Sequence, residues 1–157
     1  MSAAIDILNP ERPKHVAIVA SNPAVSKQTG WPMGFWWSEL THPYWEFAEH
    51  GYKVEIFSPD GGKLEGDSWS DPRDDSKYSA DDLISLGFIH SPILMPLVEK
   101  SKPVSQLRVS EFEAILFVGG QAPMYTFYDD ERVHNLQPYR TKRGKLLPSS
   151  VTQPPFC

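Results

Sequence analysis

Three short apolar runs, each bounded by polar or turn-forming residues, have the pattern of buried β-strands. They occupy residues 15–20 (HVAIVA), 53–57 (KVEIF) and 114–118 (AILFV). The segments between and after them carry helical patterns at residues 43–50, 79–86, 91–101 and 124–136. Because strands that alternate with helices pair in parallel, the sequence predicts an α/β protein with a flavodoxin-like, doubly wound, mostly parallel sheet.

Local signals predict where two of these helices begin. Pro43 interrupts a helix but costs nothing in the first turn, so the helix after the first strand is expected to begin at Pro43 and to end at Gly51. This interpretation places Glu39 in the connection between the strand and the helix. Ser79 is the expected N-cap of the next helix, whose first turn is acidic.

The parallel strands of such a sheet end at one edge, and ligands bind in the crevice beyond it. Glu39, Asp60 and the pair Gly119 and Gly120 all follow predicted strands, so they are expected at that edge. A polar loop at residues 66–77 has the length of many functional loops. The carboxyl ends of the strands are therefore where the sequence predicts a site.

Glu39 and the two glycines are the candidate chemical groups. A carboxyl among aromatic neighbours has a raised pKa and can act as an acid, although the same residue in an exposed loop would do nothing. Two glycines let the backbone approach a ligand and stabilise an oxyanion, although a tight turn after a strand needs them equally. The sequence lacks phosphate-binding, zinc-protease and nucleophile-elbow motifs.

His42, Glu46 and His50 are spaced four residues apart and could share a helix face. A metal site there would need further ligands, and a solvated helix face is the alternative. We predict no metal and no cofactor.

Composition excludes several classes of partner. The chain has 157 residues with a net charge of −5, as expected of a single acidic domain that binds neither nucleic acid nor anionic membranes. It has no apolar run long enough to cross a membrane, and its first residues do not resemble a signal peptide. One cysteine rules out an intramolecular disulfide, so a cytoplasmic location is expected.

Three segments, spread from residue 15 to 136, carry a family resemblance. They are QTGWPMGFWWSELTHPYWEFAEHGYKVEIFSPDGG, DPRDDSKYSADDLISLGF and FEAILFVGGQAPMYTFYDDERVHNL. In this order they resemble the ThiJ/PfpI superfamily, which has the class I glutamine amidotransferase-like fold, and within it the branch of glutathione-independent glyoxalases and heat-shock chaperones.

The resemblance implies a function and a set of site residues. Glu39 matches the family's acid beside the nucleophile, and Gly119 and Gly120 match the backbone of its oxyanion hole. Gln121 and Ala122 stand where the family more often has His-Gly, which leaves the substrate contacts open. Relatives of full length would act on small reactive aldehydes such as methylglyoxal, and a homodimer is allowed.

Residues 137–157 do not resemble the family. They contain four basic residues, four prolines and no acid, so the sequence divides into a partial ThiJ/PfpI-like domain at residues 1–136 and a basic, Pro-rich tail. Cys157 has neither a strand before it nor a histidine after it, so we predict that the chain stops matching the family before the nucleophile elbow and has no nucleophile. Without a Cys-His pair it is expected to have no glyoxalase activity.

The tail has the properties of a shifted reading frame. Read two bases later, codons for Ser150 and Val151 allow cysteine, and codons for Val151 and Thr152 allow histidine. The shifted string can encode a loop, a strand and a Cys-His elbow like those of the family. A frameshifted or mis-spliced product is the preferred interpretation, and an independently evolved tail is the alternative.

Two other functions remain open at this stage. A non-enzymatic chaperone or binding module of the same fold would use exposed apolar surface. A flavodoxin-like mononucleotide binder would share the sheet, but the chain lacks a phosphate loop.

Overall fold

The structure is a computed structural model and describes residues 14–136. Residues 1–13 and 137–157, which hold the predicted domain boundary, the basic tail and Cys157, lie outside the described residues. The strands are β1 (His15–Val19), β2 (Ala24–Val25), β3 (Pro32–Met33), β4 (Lys53–Ser58), β5 (Lys102–Pro103) and β6 (Ala114–Phe117). The helices are α1 (Trp37–Glu49), α2 (Leu83–His90), α3 (Met95–Glu99), α4 (Gln121–Thr126) and α5 (Glu131–His134).

Four strands form one parallel sheet in the order β5-β4-β1-β6. The three strands that the apolar runs predicted are β1, β4 and β6, each within one residue of the expected bounds. Strands β2 and β3 form a separate antiparallel ribbon. The predicted α/β class with a mostly parallel sheet is therefore confirmed.

Strand β1 lies between β4 and β6 and is covered on both faces. Ile18 belongs to one apolar cluster with α1 and α2, whereas Ala17 and Val19 belong to a second cluster on the opposite face. Successive residues of a strand point to opposite faces, so a central strand covered on both sides must be apolar throughout. This explains why the run HVAIVA is continuous rather than alternating.

Helix α1 begins six residues earlier than expected, at Trp37, and Pro43 lies inside it. The prediction that Glu39 lies in a connection is wrong, because Glu39 occupies the first turn of the helix. A proline inside a helix removes one backbone hydrogen bond and costs about 3 kcal/mol. Burial of Trp37 and Leu40 in the core offsets that cost and sets the helix start.

The later helices also differ from the sequence prediction. Helix α2 begins at Leu83 and is capped by Asp82, whose side chain accepts from the Ser85 N–H, whereas the Ser79 hydroxyl donates to a loop carbonyl. The single helix expected at residues 124–136 is two short helices, α4 and α5, and Asp130 caps the second. Within residues 91–101 only α3 is helical.

Among residues 14–136, no helix combines the length and the apolar character that crossing a membrane would require. The location of the protein stays a prediction.

Candidate functional site

Glu39 and Gly119 meet at the carboxyl edge of the sheet. The Gly119 N–H donates to Oε2 of Glu39 over 2.7 Å. Glu39 reaches this position from the first turn of α1, where the helix dipole favours an acidic side chain. Gly119 lies two residues past the end of β6. The sheet topology and the start of α1 therefore bring together two residues that lie 80 positions apart in the chain.

The Glu39 carboxyl is half-buried, and its surroundings change its acidity. Burial raises the pKa of Glu39 above its usual value, and the hydrogen bond from the Gly119 N–H opposes part of that rise. A carboxyl with a raised pKa keeps its proton to higher pH and can donate it or a hydrogen bond. Glu39 is therefore the candidate acid of this edge.

Gly119 and Gly120 are required by close contacts. A Cβ added to Gly119 would lie 3.1 Å from Cδ of Glu39. Gly120 has a φ of +134°, and a Cβ there would lie 2.7 Å from the backbone N of Trp36. The Trp36 N–H donates to the Gly119 carbonyl over 2.9 Å, which holds the turn against the start of α1. A Cβ at Gly119 would displace the Glu39 carboxyl, whereas a Cβ at Gly120 is excluded by the backbone itself.

The backbone N–H groups of Gly119 and Gly120 differ in whether a residue of the described chain already accepts them. Glu39 accepts the Gly119 N–H, whereas the Gly120 N–H has no hydrogen-bond partner within residues 14–136. In this arrangement Gly120 is the one of the two whose N–H is available to an oxyanion. The oxyanion role itself stays a prediction.

Asp67 connects the backbone segments of the site by hydrogen bonds, and no pattern in the sequence predicts this role. Asp67 is 4% exposed, and its carboxylate accepts the Gly34 N–H over 2.7 Å and the Gln121 N–H over 2.8 Å. Burial raises the pKa of Asp67, and these two N–H groups oppose the rise. The Asp67 N–H also donates to the Phe35 carbonyl over 2.7 Å. One carboxylate thus links three separate connections around the Gly119 turn.

No sequence signal separates Asp67 from the other acids of its loop. Asp71, Asp74 and Asp75 lie in the same polar stretch. The neighbouring Gly66, which passes against the Trp37 ring with no room for a side chain, is the one indication that the chain comes close to α1 there. That indication needs the structure to be interpreted.

A groove of about 240 Å³ opens beside the Glu39 carboxyl. It is lined by Ser38, Glu39, His42, Pro43, Leu116 and Phe117. Its walls are α1 on one side and the edge strand β6 on the other. The groove gives a small molecule access to Glu39 from solvent.

The other predicted site residues have separate partners. Asp60 pairs with Arg132 over 3.0 Å and makes no contact with Glu39. His42 Nε2 lies 2.8 Å from Oδ1 of Asp82, and His50 Nδ1 bonds to the Glu46 carbonyl. Within the described part of the chain, no three His, Cys, Asp or Glu side chains are placed to hold a metal ion. The site therefore consists of Glu39, the Gly119 turn and the Asp67 link.

These features define a class of protein. It is a flavodoxin-like α/β protein with a parallel sheet whose carboxyl edge holds a half-buried glutamate against a Gly-Gly turn.

Comparison with solved structures specifies the fold further. The rapid encystment protein of 24 kDa from Francisella tularensis is similar with a TM-score of 0.66 and 24% identity, over 78% of this chain and 51% of that protein. Glyoxalase III from Candida albicans is similar with a TM-score of 0.61 and 15% identity, over 78% of this chain and 50% of that protein. A ThiJ/PfpI domain protein from Brachyspira murdochii has a TM-score of 0.49 and 20% identity, over 80% of this chain and 51% of that protein.

At these identities the likeness establishes a shared fold. The chain has the fold of glyoxalase III and the rapid encystment protein, which is the fold that the ThiJ/PfpI resemblance implied. It spans about half the length of these structures. No protein-family model matches the chain, and no curated protein is significantly similar to it.

Proposed function

We propose that residues 14–136 are part of a glutathione-independent glyoxalase of the ThiJ/PfpI superfamily that acts on small reactive aldehydes such as methylglyoxal. The observation that carries the proposal is the hydrogen bond between the Gly119 N–H and the half-buried Glu39 carboxyl, in a groove open to small molecules. The shared fold with glyoxalase III supports it.

In the proposed full-length enzyme, a cysteine thiolate adds to the aldehyde carbon and the carbonyl oxygen becomes an oxyanion. The Gly120 N–H, which has no hydrogen-bond partner among residues 14–136, stabilises that oxyanion. The raised pKa of Glu39 lets its carboxyl supply a proton. Asp67 holds the turn in place through the Gln121 N–H. The chain as given supplies the acid and part of the oxyanion site.

The chain as given is proposed to lack the activity. Its one cysteine, Cys157, lies in the basic, Pro-rich segment that does not resemble the family. We attribute this to a shifted reading frame after residue 136, and we assign the protein to the cytoplasm because a reactive thiol needs a reducing compartment.

The experiment compares the given chain with a version in which the alternate frame is restored. Methylglyoxal consumption is measured without added glutathione. The restored protein should consume it, and the given chain should show no rate above buffer. Replacing the new cysteine with serine should abolish the activity.

A matched pair of variants of the restored protein tests the acid. Glu39→Gln should reduce the rate strongly, whereas Glu46→Gln, an exposed glutamate on the same helix, should leave it unchanged. A restored protein that folds, has a low-pKa thiol and turns over no aldehyde would refute the enzyme proposal. Equal rates for the two glutamine variants would remove the role of Glu39.

A non-enzymatic chaperone of the same fold is the second candidate. Several large apolar side chains are exposed, among them Trp31 at 67%, Leu83 at 72% and Ile93 at 78%. Exposed apolar surface can hold unfolded clients. Suppression of client aggregation at substoichiometric amounts, with the protein itself staying in solution, would support this function, and co-precipitation with the client would exclude it.

A further inference from the structure

His42 lines the same groove as Glu39. The two residues lie three positions apart on α1, and side chains with that spacing are neighbours on one face of a helix. His42 also lines an adjoining cavity of about 440 Å³, which extends to Tyr78 and the start of α2. The imidazole therefore stands where the two cavities meet, beside the candidate acid.

Asp82 fixes the orientation of the His42 ring. Nε2 of His42 lies 2.8 Å from Oδ1 of Asp82. Burial opposes ionisation of Asp82, but hydrogen bonds from Ser85 and His42 outweigh it and hold the pKa of that carboxyl below its usual value. An ionised carboxylate can only accept hydrogen bonds, so Nε2 is the ring nitrogen that carries the hydrogen. The neutral ring therefore has its lone pair on Nδ1.

That lone pair is available. Nδ1 of His42 has no hydrogen-bond partner among residues 14–136. The His42 side chain is 48% exposed, whereas the Asp82 carboxylate that holds it is 13% exposed. An imidazole that is fixed by a carboxylate through one nitrogen and keeps a free lone pair on the other has the arrangement of a general base.

The proposed reaction needs a base of this kind. Converting methylglyoxal into lactate moves a hydrogen from the aldehyde carbon to the neighbouring carbon. Glu39 has a proton to give, so its carboxyl cannot take this hydrogen in the same step. A second group in the groove is required, and His42 is the other titratable side chain that lines it in the described part of the chain.

We propose that His42, oriented by Asp82, is the base that moves this hydrogen between the two carbons, an inference that rests on the proposed function. The reacting species is the thiohemiacetal, formed when the proton released by the thiol has returned to the oxyanion. Nδ1 takes the proton from its first carbon. The electron pair of that C–H bond forms a C=C bond, and the ketone oxygen takes the Glu39 proton, which gives an enediol.

The second half of the step restores both residues. The His42 imidazolium gives its proton to the second carbon. The hydroxyl on the first carbon gives its proton to the Glu39 carboxylate and becomes the carbonyl of a thioester. Water then hydrolyses the thioester to lactate and the thiolate.

The restored protein tests this role through its kinetics on methylglyoxal. His42→Gln should lower kcat about 100-fold or more and leave KM unchanged, because a positioned base contributes about 10²–10⁴-fold. His50→Gln is the matched control and should change neither value, since His50 lies at the end of the same helix with its Nδ1 on the Glu46 carbonyl. Asp82→Asn keeps a good N-cap for α2 but removes the charge, and should lower kcat at least about tenfold.

Two readouts separate a base from a structural contact. Added imidazole should restore part of the kcat of His42→Ala in proportion to its concentration, and it should not raise the rate of Glu39→Ala. In D2O, lactate made by the unchanged restored protein should carry deuterium on its second carbon, because a half-exposed imidazolium exchanges its proton with solvent. A direct hydride shift between the two carbons would keep the original hydrogen there.

The given chain reports the orientation of the ring without catalysis. At about pH 9, where histidine side chains are neutral, long-range ¹H–¹⁵N NMR should place the His42 hydrogen on Nε2. Circular dichroism checks the folding of each variant. If His42→Gln and His42→Ala do not fold, the deuterium and NMR readouts on the unchanged proteins decide.

The outcomes distinguish this inference from the proposed function. A restored protein that turns over methylglyoxal equally well with His42→Gln would overturn the inference and leave the function standing. Failure of imidazole to rescue His42→Ala, lactate without deuterium on its second carbon, or a His42 hydrogen on Nδ1 would also overturn it. A folded restored protein without turnover would refute the proposed function, and the inference with it.

Discussion

Replacing Gly119 with alanine tests the contact between Glu39 and the turn after β6. Gly119 does not have a left-handed φ, so alanine is conformationally allowed there. The three atoms nearest to the new Cβ all belong to the Glu39 carboxyl: Oε2 is the nearest, and Cδ and Oε1 both lie 3.1 Å away. The methyl group would therefore push the carboxyl away from the Gly119 N–H.

The size of the effect follows from two opposing contributions. A hydrogen bond to a charged group contributes about 1.5–3 kcal/mol to the free energy of unfolding. Because Glu39 is half-exposed, losing its hydrogen bond from the Gly119 N–H should cost an amount near the lower end of that range. Replacing glycine by alanine at an allowed φ stabilises by about 0.4–1 kcal/mol through the unfolded state. Gly119→Ala should therefore destabilise the protein by about 1 kcal/mol.

The same substitution should have the opposite sign when the glutamate is absent. In a Glu39→Ala background the methyl group meets no carboxyl, so Gly119→Ala should stabilise by about 0.5 kcal/mol. Gly87→Ala is the matched control, because Gly87 lies in α2 with no atom within 4 Å of an added Cβ. It should stabilise by about 1 kcal/mol in both backgrounds.

Urea unfolding followed by tryptophan fluorescence measures all these free energies, with equal m-values as the check that one transition is compared. A Gly119→Ala cost that is the same with and without Glu39 would refute the reasoning. It would mean that the turn itself, rather than the carboxyl, excludes the methyl group.

Three further variants have defined outcomes in the same unfolding assay. Gly120→Ala should lower the free energy of unfolding by several kcal/mol, because the φ of +134° and the backbone N of Trp36, 2.7 Å from an added Cβ, both exclude a side chain. Gly51→Ala is the control, since Gly51 has a φ of +78° and open space around it, and should lower the free energy of unfolding by about 1 kcal/mol. Equal losses for the two variants would contradict this reasoning. Asp67→Asn should cost about 1–3 kcal/mol, because an amide has one acceptor for two N–H donors, and unchanged stability would refute the link. Burial opposes ionisation of Glu55, but hydrogen bonds from two lysines and a histidine outweigh it and lower its pKa to about 2 from 4.5. Glu55→Gln should therefore cost about 1 kcal/mol above pH 4.5, a difference that disappears as the pH falls through about 2, and a difference that persists below that pH would contradict the assignment.

The strands that could be predicted from sequence are those whose burial produces a recognisable run of apolar residues. Strand β1 is covered on both faces, and β4 and β6 lie on either side of it in the sheet. This burial produces the apolar runs from which the three strands were predicted. Strands β2, β3 and β5 have two residues each, and a period of two cannot be recognised in two residues. Their positions depend on contacts made elsewhere in the chain.

The starts of α1 and α2 could not be predicted because contacts distant in sequence, and not local signals alone, decide them. Pro43 favours a start at its own position, but the burial of Trp37 and Leu40 extends α1 towards the N-terminus. Ser79 and Asp82 are both good N-caps. Asp82 is selected because its carboxylate also contacts His42 on α1, a contact between residues 40 positions apart.

The candidate site, like the fold, could be predicted from the sequence only in part. The juxtaposition of Glu39 with the Gly119 turn follows from topology, since both come after parallel strands. The link through Asp67 does not, because it joins three loops whose spacing along the chain is irregular. Loop-to-loop hydrogen bonds have no period, so the sequence carries no trace of them.

The Asp67 link also divides the loop at residues 66–77 into two parts that should tolerate change differently. Its first part is fixed, because Asp67 holds two backbone N–H groups and the Ser70 hydroxyl accepts the Trp37 N–H. Its later part, around Asp75 and Ser76, is exposed and is held by hydrogen bonds within the loop. Insertions and attached labels belong at exposed positions of this kind. A fluorophore at Ser76 would therefore lie on the same connection as Asp67 without replacing any group that holds the site.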